Sequence, residues 1–231
     1  MIDFHSHILP KMDDGSKSVE QSLEMIRDLS AQGVKTVVAT PHFYANDESV
    51  DEFLKRRAES YEELRVHLTD DCPEVVLGAE VKYYSGISRL EGLDRLTIGD
   101  SGLLLLEMSL AKWTGYVVDE IVSLSTSGTV TVALAHIERY FFLQSRDVQE
   151  KLLQNGVLMQ CNAEFFNGFL TRRKALKMFG NGRIHLIGSD CHNMTDRKPT
   201  VGKAVERIKE KHGEHIFKQF VRFQNDLLFE T

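Results

Sequence analysis

His5 and His7 stand one residue apart within the first seven positions, in Asp3-Phe4-His5-Ser6-His7. Asp190 and His192 repeat that spacing near the other end of the chain, in Gly188-Ser189-Asp190-Cys191-His192. Side chains two apart on a strand point the same way, so each pair can close on one ion. Between them come Asp14 in an Asp-Asp-Gly turn, His42 after Thr-Pro, Glu80 after Gly-Ala, Glu107 after four leucines and His136 after Leu-Ala. Imidazole and carboxylate together suit zinc, manganese or iron. The lack of thiolate ligands speaks against a structural zinc. So many ligands exceed the needs of one ion, and two or three ions are expected, with carboxylates bridging neighbours. Such a cluster generates hydroxide at neutral pH and clamps a phosphate through an in-line displacement.

The elements around these residues explain how they could meet. Apolar runs at 1–4, 34–41, 74–80, 102–108, 130–136, 157–162 and 184–190 read as buried strands. Amphipathic segments at 18–33, 50–68, 116–128, 145–156 and 172–182 read as helices, and the chain from Gly202 onward reads as helical. Wholly apolar strands separated by helices predict an α/β fold with a helix-covered parallel sheet. Seven such strands predict a distorted seven-stranded TIM-like β/α barrel, with an open doubly wound sheet as the alternative. In such barrels the chemistry sits at the C-terminal strand ends, where His5, His7, His42, Glu80, Glu107, His136, Asp190 and His192 fall. No linker, repeat or low-complexity stretch divides residues 1–231, so a single domain is expected.

One histidine at a strand end is ordinarily a satisfied polar group; the shared placement carries the metal reading. Burying Glu107 behind four leucines would be costly without a cation. His67, His185, His212 and His215 lie outside this pattern and read as surface or packing residues.

Composition narrows the rest. Of 231 residues, 42% are hydrophobic and 27% charged, with a formal net charge of −6. That fits a soluble globular protein and argues against a nucleic-acid or anionic-membrane partner. No stretch approaches eighteen apolar residues, and the N-terminus lacks a signal-peptide pattern, so a cytoplasmic protein with no membrane insertion is expected. Cys72, Cys161 and Cys191 form neither a disulfide framework nor a CxxC pair. Cys191 and Arg197 do match the C-x5-R spacing of cysteine-dependent tyrosine phosphatases. The residues between them, His-Asn-Met-Thr-Asp, include no glycine to curl the backbone round a phosphate, and Lys198 follows where that signature wants Ser or Thr.

Taken together, HSH, DDG, TPH, GAE, AHIERY and GSDCHN occur in this order over residues 5–193. The chain thereby resembles the PHP (polymerase and histidinol phosphatase) superfamily, and within it the CpsB/YwqE-like bacterial protein-tyrosine phosphatases, over essentially its whole length. The resemblance implies a trinuclear centre, commonly manganese-dependent, although iron or zinc would also accept these ligands. It implies that His5, His7, Glu80 and Asp190 hold one ion, that Glu80, Glu107 and His136 hold a second, and that Asp14, His42 and His192 hold the third. It further implies that Arg139 and Arg197 bind the phosphate oxygens, for which a guanidinium fork is suited. The chain departs from the family at Ile137, where proline is usual, and around Glu107, whose following residues are less typical. The implied activity is metal-dependent phosphoric monoester hydrolysis. The implied substrate is phosphotyrosine on the tail of a bacterial tyrosine autokinase controlling capsule or exopolysaccharide synthesis. Glu164–Phe166 and Tyr83–Tyr84 are candidate receivers of the tyrosyl peptide, with core packing an explanation at least as good for them. The alternatives are a phosphatase for a small phosphomonoester such as histidinol phosphate and a catalytically lapsed, metal-stabilised interaction module.

Overall fold

A computed structural model describes residues 1–230. Every pairing between its nine strands is parallel. The strands are β1 (Ile2–Ser6), β2 (Thr36–Ala39), β3 (His42–Phe43), β4 (Glu74–Leu77), β5 (Glu80–Lys82), β6 (Leu103–Glu107), β7 (Thr131–Leu134), β8 (Leu158–Asn162) and β9 (Leu186–Gly188). One sheet runs β1-β2-β4, the other β3-β5-β6-β7-β8-β9. The expected second and third strands are each broken in two. Pro41 has no N–H to donate to a ladder, and Gly78-Ala79 interrupts the neighbouring strand. Hydrogen bonds from Gly78 N to Ala39 O (2.9 Å) and from Glu80 N to Pro41 O (3.0 Å) still tie the broken strands together. At the far edges β9 comes back to β1: Ser6 bridges Cys191, His7 N donates to Cys191 O (2.9 Å), and Asp190 N donates to His5 O (2.7 Å). The parallel sheet therefore curls on itself.

Its inner face is apolar at the N-terminal end of the strands. Ile2, Phe4, Val38, Leu103, Leu105, Ala133 and Leu186 form one buried cluster there, which also takes in Leu228 near the C-terminus. The alternate residues, among them Val37, Leu104, Leu106, Val132, Leu134 and Ile187, pack in the larger cluster with the helices. Those helices are α1 (Val19–Ala31), α2 (Val50–Arg65), α3 (Gly115–Thr126), α4 (Arg146–Gln154), α5 (Ala163–Asn167), α6 (Arg172–Gly180), α7 (Val201–His212) and α8 (Glu214–Phe229). Side chains fix several starts: Ser18 accepts from Gln21 N, Ser49 and Glu52 form a reciprocal capping box, and Ser145 accepts from Val148 N. The expected C-terminal helix divides at Gly213, whose φ of 87° is open to glycine without strain. The short α5 and the 3-10 turns at Ile137–Arg139 and Phe141–Leu143 were not foreseen from periodicity.

Simple alternation fails at two places that matter for the site. Asp3 pairs with Val37 but Ser6 pairs with Ala39, so β1 carries one extra residue between them. This bulge lets His5 turn to the inner face that Phe4 also occupies, a re-aiming characteristic of bulges beside functional sites. At the other end β9 stops at Gly188, so Asp190 and His192 are not strand neighbours. Asp190 instead adopts a left-handed backbone with φ 52°.

Candidate metal centre

Along the inner face the apolar layer gives way to imidazoles and carboxylates at the C-terminal strand ends. All nine residues expected as ligands lie there. His5 Nε2 is 3.1 Å from His7 Nε2 and 3.2 Å from Glu80 Oε2. His7 Nε2 is 3.5 Å from Asp190 Oδ1. His42 places Nδ1 3.0 Å from Glu80 Oε2 and Nε2 3.5 Å from Asp14 Oδ1. His136 Nε2 is 2.8 Å from Glu80 Oε1 and 3.6 Å from Glu107 Oε1. His192 Nε2 is 3.4 Å from Asp14 Oδ1. Three groups are compact enough for each to surround one ion: His7, Asp14, His42 and His192; His5, His7 and Asp190; and His42, Glu80 and Glu107. His7 and His42 each belong to two of them. His136 reaches the cluster through Glu80 and Glu107.

The chemistry of this donor set fits cations better than it fits a network of hydrogen bonds. Glu80 Oε2, His42 Nδ1, His136 Nδ1 and His192 Nε2 are buried and make no hydrogen bond. Buried polar atoms are ordinarily paired, and each orphan costs about 1–3 kcal/mol. The short His42–Glu80 approach is thus proximity without hydrogen-bond geometry, as expected of two atoms facing a shared third partner. Charge crowding points the same way. Burial disfavours an ionised Glu80, yet His5, His136 and His42 around it hold its carboxyl well below the usual range. Burial likewise opposes a charged His7, but its hydrogen bond to Asp13 and the adjacent carboxylates of Asp190 and Glu80 raise its pKa well above the ordinary value. Burial drives His192 the other way, to about 4, with His7 next in effect. It also lowers His136.

Side chains that the spacing argument missed hold the ligands in place. Asp13 Oδ2 accepts from His7 Nδ1 at 2.7 Å and from His42 N at 2.9 Å. Gln160 Oε1 accepts from His5 Nδ1 at 3.2 Å and from His136 N at 2.6 Å. Each acceptor fixes a proton on Nδ1, so Nε2 is the ring atom turned into the cluster and offered to a cation. Gln160 Nε2 continues to Asn162 Oδ1 (3.0 Å), and Asn162 Nδ2 donates to Asp190 Oδ2 (2.8 Å). Asp13 was visible as the first residue of the Asp-Asp-Gly turn. Gln160 and Asn162, in a strand that ends in no ligand, gave no signal. Gly15 and Gly188 are there for close approach: a Cβ on Gly15 would lie 2.4 Å from His7 Cβ, and one on Gly188 2.4 Å from His5 Cβ. His136 (φ 31°) and Asp190 (φ 52°) adopt left-handed conformations that cost a non-glycine residue about 1–3 kcal/mol.

Arg139 and Arg197 flank the same carboxylate. Arg139 Nη2 donates to Asp190 Oδ2 at 2.5 Å and Arg197 Nη2 to Asp190 Oδ1 at 2.8 Å. Both guanidinia are more than a third exposed, so a ligand at the mouth can reach them. Cys191 is fully buried, and burial, then the neighbouring Asp3, pushes its thiol well above the usual range. It has neither the exposure nor the acidity of a nucleophile. For the aromatic candidates the structure bears out the core-packing alternative. Phe165 and Phe166 are buried in the core, and Tyr83 donates its hydroxyl to Glu120 at 2.7 Å, while Tyr84 is half-buried and packs on the same core. Beside the ligands the half-open aromatic side chain is Tyr44, whose ring lies 5.4 Å from that of His42.

A parallel curled sheet with this ring at its C-terminal end defines a PHP-like α/β class. Within it, the chain belongs to the CpsB/CapC family of capsular polysaccharide synthesis, whose family model matches residues 1–228. It is 30% identical over 229 residues to the tyrosine-protein phosphatase CpsB of Streptococcus pneumoniae, covering 92% of this chain and 91% of that one. It is 28% identical over 236 residues to the tyrosine-protein phosphatase YwqE of Bacillus subtilis (strain 168), covering 94% and 87%. Among solved structures, those of YwqE and CpsB, described as metal-dependent tyrosine phosphatases, share the fold with a TM-score of 0.81 at 24% identity, over 99% of this chain and 94% of that one. The histidinol phosphate phosphatase of Lactococcus lactis, complexed with zinc, L-histidinol and phosphate, matches with a TM-score of 0.54 at 13% identity, over 91% and 92%.

Proposed function

We propose that the chain is a metal-dependent protein-tyrosine phosphatase acting on a bacterial tyrosine kinase in capsule or exopolysaccharide synthesis, within the cytoplasm. The carrying observation is the convergence of eight histidine, aspartate and glutamate side chains in three compact groups, with His136 against Glu80 and two arginines on Asp190, among buried polar atoms that no hydrogen bond satisfies. The names of the CpsB and YwqE relatives support the substrate class. No helix among the described residues is long and apolar enough to cross a membrane. Counting each broken strand as one, and taking the β9-to-β1 contact as closure, we read the sheet as a distorted seven-stranded barrel in a single domain.

His5, His7, Asp14, His42, Glu80, Glu107, His136, Asp190 and His192 are the residues that would hold two or three ions, manganese by preference. The ions would supply Lewis acidity and an activated water at neutral pH. Asp13 and Gln160 keep His7 and His5 in the tautomer that offers Nε2. Arg139 and Arg197, now on Asp190, orient the non-bridging phosphate oxygens and offset the charge that grows on them. We read hydrolysis as direct, by activated water; the buried Cys191 offers no route through a cysteinyl phosphate.

A small phosphomonoester substrate remains the second reading, favoured by the likeness to the histidinol phosphate phosphatase fold. A kinetic comparison of a phosphotyrosyl peptide with histidinol phosphate separates the two. The peptide should be preferred in kcat/KM; a strong preference for histidinol phosphate would overturn the substrate assignment.

A further inference from the structure

Among the described residues, five of the eleven exposed large apolar side chains lie on one side of the mouth. Leu110, Phe142, Leu143, Phe169 and Leu170 are between 46% and 91% exposed. They lie on the connections that follow β6, β7 and β8, three neighbouring strands, on the face that carries the proposed ligands. Phe142 comes three residues after Arg139. The ammonium of Lys174 sits over the Phe142 ring and joins the second connection to the third.

Charge follows the same arc. Arg172, Arg173 and Lys174 fill the first turn of α6, all exposed, with no acidic residue in that turn. Cations at a helix N-terminus oppose its dipole by about 0.3–1 kcal/mol each. Local helix stability therefore does not account for three of them in a chain of net charge −6. Across the mouth the cleft beside His42 and Tyr44 is lined by Asp14, Asp47 and Glu48, the last paired with Arg56.

We infer that this apolar and basic arc is a docking track for the polypeptide flanking the phosphotyrosine. It selects substrates with apolar residues beside the phosphotyrosine and acidic or phosphorylated residues farther along, over Arg172 and Arg173. This inference rests on the phosphatase reading above. A narrow polypeptide can follow one side of the mouth. A flat anionic bilayer would also press on the connection bearing Asp47 and Glu48. Projecting apolar side chains flanked by unopposed cations provide the anchors and the charge complementarity that such a chain needs.

The test uses the metal-loaded full chain and two double variants, Phe169→Ser with Leu170→Ser and Arg172→Glu with Arg173→Glu. These positions are exposed, so melting temperatures should match the wild type. The substrates are p-nitrophenyl phosphate and a phosphotyrosyl peptide with one apolar and three acidic flanking residues. We expect KM for the peptide to rise about tenfold in each variant, the loss of about 1.4 kcal/mol of binding. Its kcat, and the kinetics on p-nitrophenyl phosphate, should be unchanged. Exchanging the acidic residues of the peptide for lysines should reverse the order of wild type and the arginine variant. Equal peptide KM values in all three proteins would overturn the track while leaving the phosphatase reading intact. If the wild type hydrolyses neither substrate, the phosphatase reading fails, and fluorescence anisotropy of the labelled peptide judges the track: equal affinities in all three proteins would sink it. Sedimentation with phosphatidylglycerol vesicles that is lost in the variants, with peptide KM unchanged, would assign the arc to a bilayer and overturn the proposal. A change of oligomeric state in the variants would assign it to a second copy, with the same consequence.

Discussion

Two buried glutamates are treated in opposite ways by this fold. Glu120, on α3, accepts from Tyr83 Oη (2.7 Å), Ser88 Oγ (2.9 Å) and Gly86 N (3.1 Å), so both of its oxygens are used. Glu80, at the mouth, is ringed by His5, His42 and His136 yet keeps Oε2 without a hydrogen bond. The first carboxylate spends its charge on holding a loop against a helix. The second is kept with unused coordination capacity in a place where that is costly. A carboxylate with both oxygens saturated by donors is architecture; one that keeps a buried oxygen free among imidazoles is readiness for a cation. The same division runs along the inner face of the sheet, where Phe4 and Leu105 lie in the apolar layer and His5 and Glu107 in the polar one.

Breaking the apolar side of this division should have the largest effect. Phe4→Ala should destabilise the fold by about 3–5 kcal/mol through the cavity it leaves, measured by denaturant unfolding, with metal content per folded chain unchanged. Arg139→Ala should lower turnover on a phosphotyrosyl peptide by two to three orders of magnitude, about 2.7–4 kcal/mol of barrier, with melting temperature and bound metal retained. Wild-type turnover in that variant would remove the arginine from the mechanism. Asp13→Ala should weaken metal binding about ten- to a hundredfold by freeing the His7 tautomer, read by calorimetric titration of manganese into stripped protein. Unchanged affinity would reduce Asp13 to a turn former.

The satisfied carboxylate supplies the smallest effect and a different pH signature. Glu120→Gln should cost about 1 kcal/mol at neutral pH. Burial opposes its ionisation, but hydrogen bonds from Tyr83, Gly86 and Ser88 hold its pKa below the ordinary glutamate value. A carboxyl depressed in the folded state contributes stability above its unfolded pKa and loses it as pH falls through the folded one. The gap in melting temperature between wild type and variant should therefore narrow in acid. A gap that widens there would contradict the assigned role.

Much of the mouth was legible in the sequence because strand ends are short and their polar residues conspicuous. His5, His42, Glu80, Glu107 and His136 each close an apolar run, and apolar runs are what a buried parallel strand leaves in a sequence. The strand count was read as seven because the breaks at Thr40-Pro41 and Gly78-Ala79 are too brief to disturb periodicity. The bulge in β1 was invisible, since register is a property of two strands and only one is read at a time. The left-handed turns at His136 and Asp190 were hidden for a related reason: neither residue type asks for that conformation, and tertiary contacts impose it. Gln160 and Asn162 were missed because an amide in a strand has no spacing signature. Its role appears only once His5, His136 and Asp190 surround it.

Removing the metal tests the central claim most directly. Protein stripped by exhaustive chelation should lose hydrolysis of a phosphotyrosyl peptide, stay folded by circular dichroism, and regain activity on addition of manganese, while unstripped Cys191→Ser protein works at the wild-type rate. Activity that survives complete metal removal but disappears in Cys191→Ser would contradict the account at its root.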